Sequence, residues 1–227
     1  MRTASDDSRV SDAPSPTARW ARAAAVSGGL GVLVLLLVVL GWQPLAGLDR
    51  GIAEALHAQA LARPDWTHTN RVLTDWVWDP WTMRLLIAVT VVALWVRGER
   101  WLAAWAAVAT ALCGAVQTGL KALVGRERPE WEVPVDSAHY AAMPSGHVMT
   151  LSATAVLLLW LLRRTTSASG LLCGAATVLA VVSVAGVSVT RMVLGVHWMT
   201  DTLVGALLGA AFGAAAVGVR YAWGPGR

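Results

Sequence analysis

Apolar residues run along this chain in long blocks, without the strict alternation or three-and-four spacing of a half-buried surface element. The first block extends from Ala23 to Trp42, behind Arg19 and Arg22, and others occupy about 82–96, 101–120, 147–162, 170–190 and 199–219. Each is bounded by Arg, Trp or a polar stretch. A helix satisfies its backbone hydrogen bonds internally, so a run of about 20 apolar residues can cross a hydrocarbon core roughly 30 Å thick. The pattern predicts an all-α polytopic membrane protein, a bundle of six transmembrane helices with both termini on one side. The first block is longer than the apolar core of a signal peptide, so it is predicted to be an uncleaved anchor.

Residues 43–81 form the longest connection. Leu48, Ile52 and Leu56 recur every four residues there, and Trp66, Trp76, Trp78 and Trp81 cluster. This predicts an amphipathic interfacial helix between spans one and two, resting on the bilayer. Residues 1–22, rich in Ser, Asp, Pro, Ala and Arg without apolar periodicity, are predicted to be a disordered cytoplasmic tail. The membrane domain is then 23–220, and 221–227 a second short tail. Gly205, Gly209 and Gly213 repeat every four residues in the last span, as in helices that pack closely on a neighbour.

Composition sharpens this picture. Of the 227 residues, 56% are hydrophobic and 14% charged, which sets the chain apart from soluble domains. The net charge of +4 comes mainly from Arg in loops and tails, which fits membrane orientation better than nucleic-acid binding. The termini and the loops at Arg97/Arg100 and Arg163/Arg164 carry ten of the 18 basic residues, against eight on the other side. Setting aside Lys121, Arg128 and Arg191, which the chemistry below claims, leaves ten against five. The termini are therefore expected in the cytoplasm of a cell-membrane protein, with the other face outside. Cys113 and Cys173 lie in apolar runs without partners at metal-ligand spacing and read as small buried hydrophobes.

Three polar clusters share the non-terminal face. Lys121-x6-Arg128-Pro129 ends span three and brings an ammonium and a guanidinium to one place, although basic residues at a helix end also snorkel. Pro144-Ser145-Gly146-His147 opens span four with a hydroxyl, backbone N–H groups at a helix start and an imidazole; a plain helix cap is the simpler reading. Arg191-x5-His197-x3-Asp201 bridges spans five and six, with His197 and Asp201 four residues apart and so on one helix face if span six begins early enough. A carboxylate there can fix the imidazole tautomer and free the other ring nitrogen for attack on phosphorus. Alternatively, Asp201 caps span six while Arg191 and His197 face headgroup water.

Taken in order, these clusters resemble the tripartite signature of the type-2 phosphatidic acid phosphatase superfamily. The resemblance covers about residues 24–219. Thr190 stands before Arg191 where the family usually has Ser, a change that keeps the hydroxyl. The resemblance implies His197 as nucleophile forming a phosphohistidine, Asp201 as its orienting partner and His147 as general acid. It further implies Lys121, Arg128, Arg191, Ser145 and Gly146 as the phosphate cradle, and no metal or other cofactor. The expected activity is hydrolysis of a lipid phosphomonoester or diphosphate, on a polyprenyl diphosphate, phosphatidic acid, phosphatidylglycerol phosphate or diacylglycerol diphosphate. A phosphotransferase or a vanadate-binding oxidase of the same fold, and an anion transporter lined by Lys121, Arg128, Arg191 and His197, are the alternatives. His57, His68 and His139 read as ordinary polar residues, and Trp131 and Trp198 as headgroup flanks or interfacial anchors. Oligomeric state is not readable from the sequence.

Overall fold

A computed structural model describes residues 14–223. They form eight α-helices: α1 (Pro16–Val39), α2 (Gln43–Ala62), α3 (Pro64–Val72), α4 (Pro80–Val96), α5 (Arg100–Val124), α6 (Gly146–Thr165), α7 (Gly170–Val193) and α8 (Met199–Trp223). A π-helical turn, Leu73–Val77, follows α3. Six helical stretches are long and apolar enough to span a bilayer, in the order predicted. The chain is an all-helical, multi-pass membrane protein.

The helices run past the limits of the apolar blocks. α1 begins at Pro16, ahead of the predicted start at Ala23, because the Ser15 hydroxyl accepts from Ala18 N at 3.2 Å and Pro16 suits the first turn. The predicted tail is therefore helical from Pro16 onward, and its residues 1–13 lie outside those described. α8 likewise continues to Trp223, into the predicted C-terminal tail, of which 224–227 lie outside the described residues. α5 extends to Val124 and stops where Gly125 takes a left-handed conformation at φ 59°.

The connection between the first two spans is helical, as predicted, but divided by the Arg63–Pro64 junction. Its inward face is Asp49, Ala53, His57 and Ala60, adjacent to the apolar row Leu48, Ile52 and Leu56. α2 packs against α7 and α8, across the end of the bundle where the three polar clusters lie.

α8 is the axis, flanked by α1 on one side and α6 on the other. Gly205, Gly209 and Gly213 line the α6 side: a Cβ added at each would meet Ser145 O at 2.9 Å, Met149 O at 2.5 Å and Val156 Cβ at 2.8 Å. The two backbones are thus nearly in contact. In the most apolar stretch of α6, 56% of residues are buried, against 6% for α1, whose Leu30, Leu33 and Leu36 face outward toward hydrocarbon. At the end away from the clusters, Leu102, Ala106, Leu157, Trp160 and Val217 form the main apolar core. Cys113 is buried, whereas Cys173, expected to be buried, is only half so because α7 turns most of its surface outward.

Because a main-chain carbonyl cannot rotate away, Gly209→Ala should lower stability by about 1–3 kcal/mol despite the better helix propensity of Ala. Thermal unfolding in detergent measures this. Gly174→Ala on α7, where nothing lies within 4 Å, is the control and should be neutral or slightly stabilising.

Candidate active site

All eight residues singled out from the sequence lie at one end of the bundle, on the C-terminal ends of α5 and α7, the N-terminal ends of α6 and α8, and the loops joining them. The α7–α8 loop carries His197, 2% exposed, against the fully buried Asp201 in the first turn of α8. Their four-residue spacing places His197 Nδ1 3.3 Å from Asp201 Oδ2. The same oxygen accepts from Trp198 N at 2.9 Å. The other ring nitrogen, Nε2, lies 3.2 Å from Arg128 Nη1. Burial, followed by the nearby Arg191, Arg128, Lys121 and Arg126, pushes the His197 imidazole well below its ordinary range, which keeps it neutral.

The α5–α6 loop folds over this pair. Arg128 donates through Nε to Tyr140 O at 3.0 Å, through Nη2 to His139 O at 3.1 Å, and through Nη1 to Val196 O. Lys121 Nζ donates to the Ala141 and Ala142 carbonyls. The two cations of the first cluster therefore also hold residues 139–142 beside His197. Tyr140 adopts a positive φ of 67° at the exposed crest of this loop.

Ser145 and His147 come in on α6. The Ser145 amide donates to the Asp201 carbonyl at 3.0 Å, tying the second cluster to the third through backbone. The Ser145 hydroxyl is fully buried and has no hydrogen-bond partner among the described residues, and the same holds for Arg191 Nε. A Cβ at Gly146 would meet Gln117 Nε2 at 2.7 Å, so glycine allows α5 and α6 to close at this level. His147 Nε2 sits 3.7 Å from Asp79 Oδ2. Lys121, Arg128 and Arg191 all lie close enough to act on both His147 and His197. An enclosed group of cations with buried, unengaged donors suits a phosphoryl group.

Several participants were not singled out from the sequence. Arg126 Nη1 donates to Asp201 Oδ1 and, at 2.7 Å, to Thr200 Oγ1, while Nη2 donates to Asp49 Oδ2 at 2.7 Å. Asp79 beside His147 and Gln117 beside Gly146 were missed as well. Arg126 sat in plain view inside the first cluster; its partners could not be read from a local pattern. His57 is buried and stacks on Trp131 with ring centroids 3.9 Å apart, and Trp131 Nε1 donates to Gly195 O at 2.9 Å. Trp198 Nε1 donates to Glu127 O at 3.0 Å. Both tryptophans thus brace loops of the site. His68 is exposed, and His139 engages the site through its carbonyl.

A bilayer-spanning helical bundle with a buried His–Asp pair among clustered cations defines a membrane protein of the phosphoryl-handling class. The model of the PAP2 superfamily matches residues 102–225, and the chain belongs to that superfamily. Decaprenylphosphoryl-5-phosphoribose phosphatase of Mycobacterium tuberculosis, in two strains, is 32% identical over 165 residues, covering 70% of this chain and 84% of the relative. The fold is similar to the crystal structure of a transmembrane PAP2 type phosphatidylglycerolphosphate phosphatase from Bacillus subtilis, with a TM-score of 0.79 at 18% identity, over 90% of this chain and 98% of that one.

Proposed function

We propose that the chain hydrolyses the phosphate ester or anhydride of a membrane lipid through a covalent phosphohistidine at His197, without a metal ion. The observation that carries this reading is the two-sided environment of His197: Nδ1 faces Asp201 Oδ2 at 3.3 Å while Nε2 lies 3.2 Å from a guanidinium nitrogen of Arg128. With the ring proton on Nδ1 held by Asp201, the Nε2 lone pair attacks phosphorus and the bond from phosphorus to the lipid oxygen breaks. His147 protonates that oxygen as it leaves. Water then attacks the phosphohistidine, giving its proton to His147, and inorganic phosphate departs. Lys121, Arg128 and Arg191 hold the phosphoryl oxygens, with the Ser145 hydroxyl and the Gly146 amide, so fixed cations supply the charge stabilisation that a metal provides elsewhere.

Both named relatives act on a phosphate carried by a long apolar anchor, and a site at one end of a membrane bundle suits such a molecule. The sequence similarity makes polyprenyl-anchored phosphates the first class to test, followed by phosphatidylglycerol phosphate and phosphatidic acid. The distribution of basic residues supports a cell-membrane protein with cytoplasmic termini and this site on the outer face.

The test is an acid-free quench of purified protein turning over a lipid phosphate radiolabelled in its phosphate, with a chelator present throughout. Label is expected on His197, stable to alkali and lost in acid, and phosphate release is expected to continue in the chelator. Release without a label at His197, or release abolished by the chelator, overturns the reading.

A further inference from the structure

Behind the His197–Asp201 pair lies a second ionic arrangement. Asp49, on α2, is 1% exposed and Asp201 is fully buried. Arg126 bridges them through its two terminal nitrogens, and the only hydroxyl in the group, Thr200 Oγ1, accepts from Arg126 while donating to Asp49 Oδ2. Thr200 N donates to Asp49 Oδ1 at 2.9 Å. Each carboxylate oxygen named here thus has a donor, and the guanidinium is packed over the Trp198 ring at 5.6 Å.

Burying two carboxylates and a guanidinium costs desolvation that their attraction often fails to recover, so stability alone is a weak reason for this arrangement. Its geometry gives a stronger one. Asp201 Oδ1 is held by Arg126, which leaves Oδ2 as the oxygen that meets His197. Asp49 does not approach His197; its carboxylate offsets the positive charge that Arg126 brings to the rear of the pair. We propose that Arg126 and Asp49 are positioning residues for His197, forming a relay from Asp49 through Arg126 to Asp201 that fixes the carboxylate and balances its charge. Asp49 lies on α2, outside the segment matched by the superfamily model, and the relay makes α2 a support of the site as well as a connection between spans. This inference rests on the phosphohistidine reading above.

The charged and titratable groups around His197 are Asp201 on α8, Arg126, Arg128 and Lys121 on α5 and its loop, Arg191 on α7, His147 on α6 and, through Arg126, Asp49 on α2. Arg126 is among the cations that hold the imidazole below its ordinary range. Removing the Asp49 charge leaves Arg126 with Asp201 as its one close carboxylate partner, so its positive charge is less offset and the imidazole moves further down. Removing Arg126 moves it up. The acid limb of kcat/KM in the free enzyme should therefore shift to lower pH in Asp49→Asn and to higher pH in Arg126→Ala. Substrate ionisation is common to both variants and cancels in the comparison.

The experiment uses the full-length chain in detergent, with farnesyl diphosphate and phosphatidic acid as probes, taking whichever the wild type turns over faster. Arg126→Ala should lose kcat on the order of 10–100-fold, the scale known for removing the partner that orients a working ligand, and Asp49→Asn, one contact further back, on the order of 10-fold. KM should stay within about twofold, since both side chains are engaged with each other, Thr200 and Asp201 and neither belongs to the proposed phosphate cradle. A cavity of about 290 Å³ at the α1–α2 corner is lined by Asp49 and Arg126, so free guanidinium ion should restore part of the Arg126→Ala rate and an equal concentration of potassium should not. Unchanged kcat and acid limb in a folded Asp49→Asn overturn the relay while leaving the phosphohistidine reading standing. If Asp49→Asn does not fold, absence of guanidinium rescue in Arg126→Ala overturns it. Wild-type turnover by His197→Ala is a separate outcome, which defeats the underlying mechanism itself.

Discussion

Replacing His197 by alanine is expected to lower kcat by on the order of 10⁵-fold or more, with KM little changed, as when a nucleophile is removed from an enzyme that works through a covalent intermediate. The imidazole Nε2 is the ring nitrogen turned toward Arg128, and Asp201 can orient a base only if one is present. The protein should remain folded, because the contacts that position α8, including the Ser145 amide on the Asp201 carbonyl, do not pass through the imidazole. Phosphate release from a lipid phosphate, measured beside the unfolding temperature, checks both statements. A fall of less than tenfold in a folded variant would exclude His197 as nucleophile.

Arg191 should show opposite effects on activity and stability. Its side chain is 6% exposed, its Nε has no protein partner, and no carboxylate lies within ion-pair distance of it among the described residues. A buried guanidinium without a close counter-ion is destabilising, so Arg191→Met should raise stability by about 1 kcal/mol or more. In the proposed mechanism the same change removes a cation that holds the phosphoryl group, and such guanidinium groups are worth on the order of 10³–10⁵ in kcat. A variant that melts higher in detergent and turns over at a thousandth of the wild-type rate is the expected result. A variant that melts lower would mean that Asp75, Asp79 and Asp136, whose field reaches Arg191, stabilise it in spite of their distance.

The contrast between what sequence pattern revealed and what it missed follows from the range of each interaction. The six spans were legible because hydrocarbon demands long apolar runs. The His197–Asp201 pair was legible from its spacing, although α8 begins only at Met199, so the two meet across the loop and the first turn of α8 and not on a shared helix face. The Gly205, Gly209 and Gly213 stripe was readable because four residues make about one helical turn, and the structure places it against α6. Arg126 was passed over because a guanidinium two residues from Arg128 reads as one more basic residue at a membrane surface. Asp49 was hidden by the apolar row beside it. Its partner Thr200 stands 151 positions away, a separation that no periodicity encodes. The early helix start at Pro16 was lost to a polar composition that a capped helix tolerates.

The near contact of α6 with α8 gives this protein a particular freedom. The two strips of main chain that carry His147 and Asp201 are registered by carbonyls and glycines, with few side chains between them. The apolar residues on α1, α4 and α7 that look outward have no part in that registration. Substitutions among them alter how the molecule meets its lipid surroundings and leave the spacing of the reactive groups alone. An outer coat free to drift around a fixed inner frame lets a lineage adapt to membranes of different thickness and composition without rebuilding its chemistry.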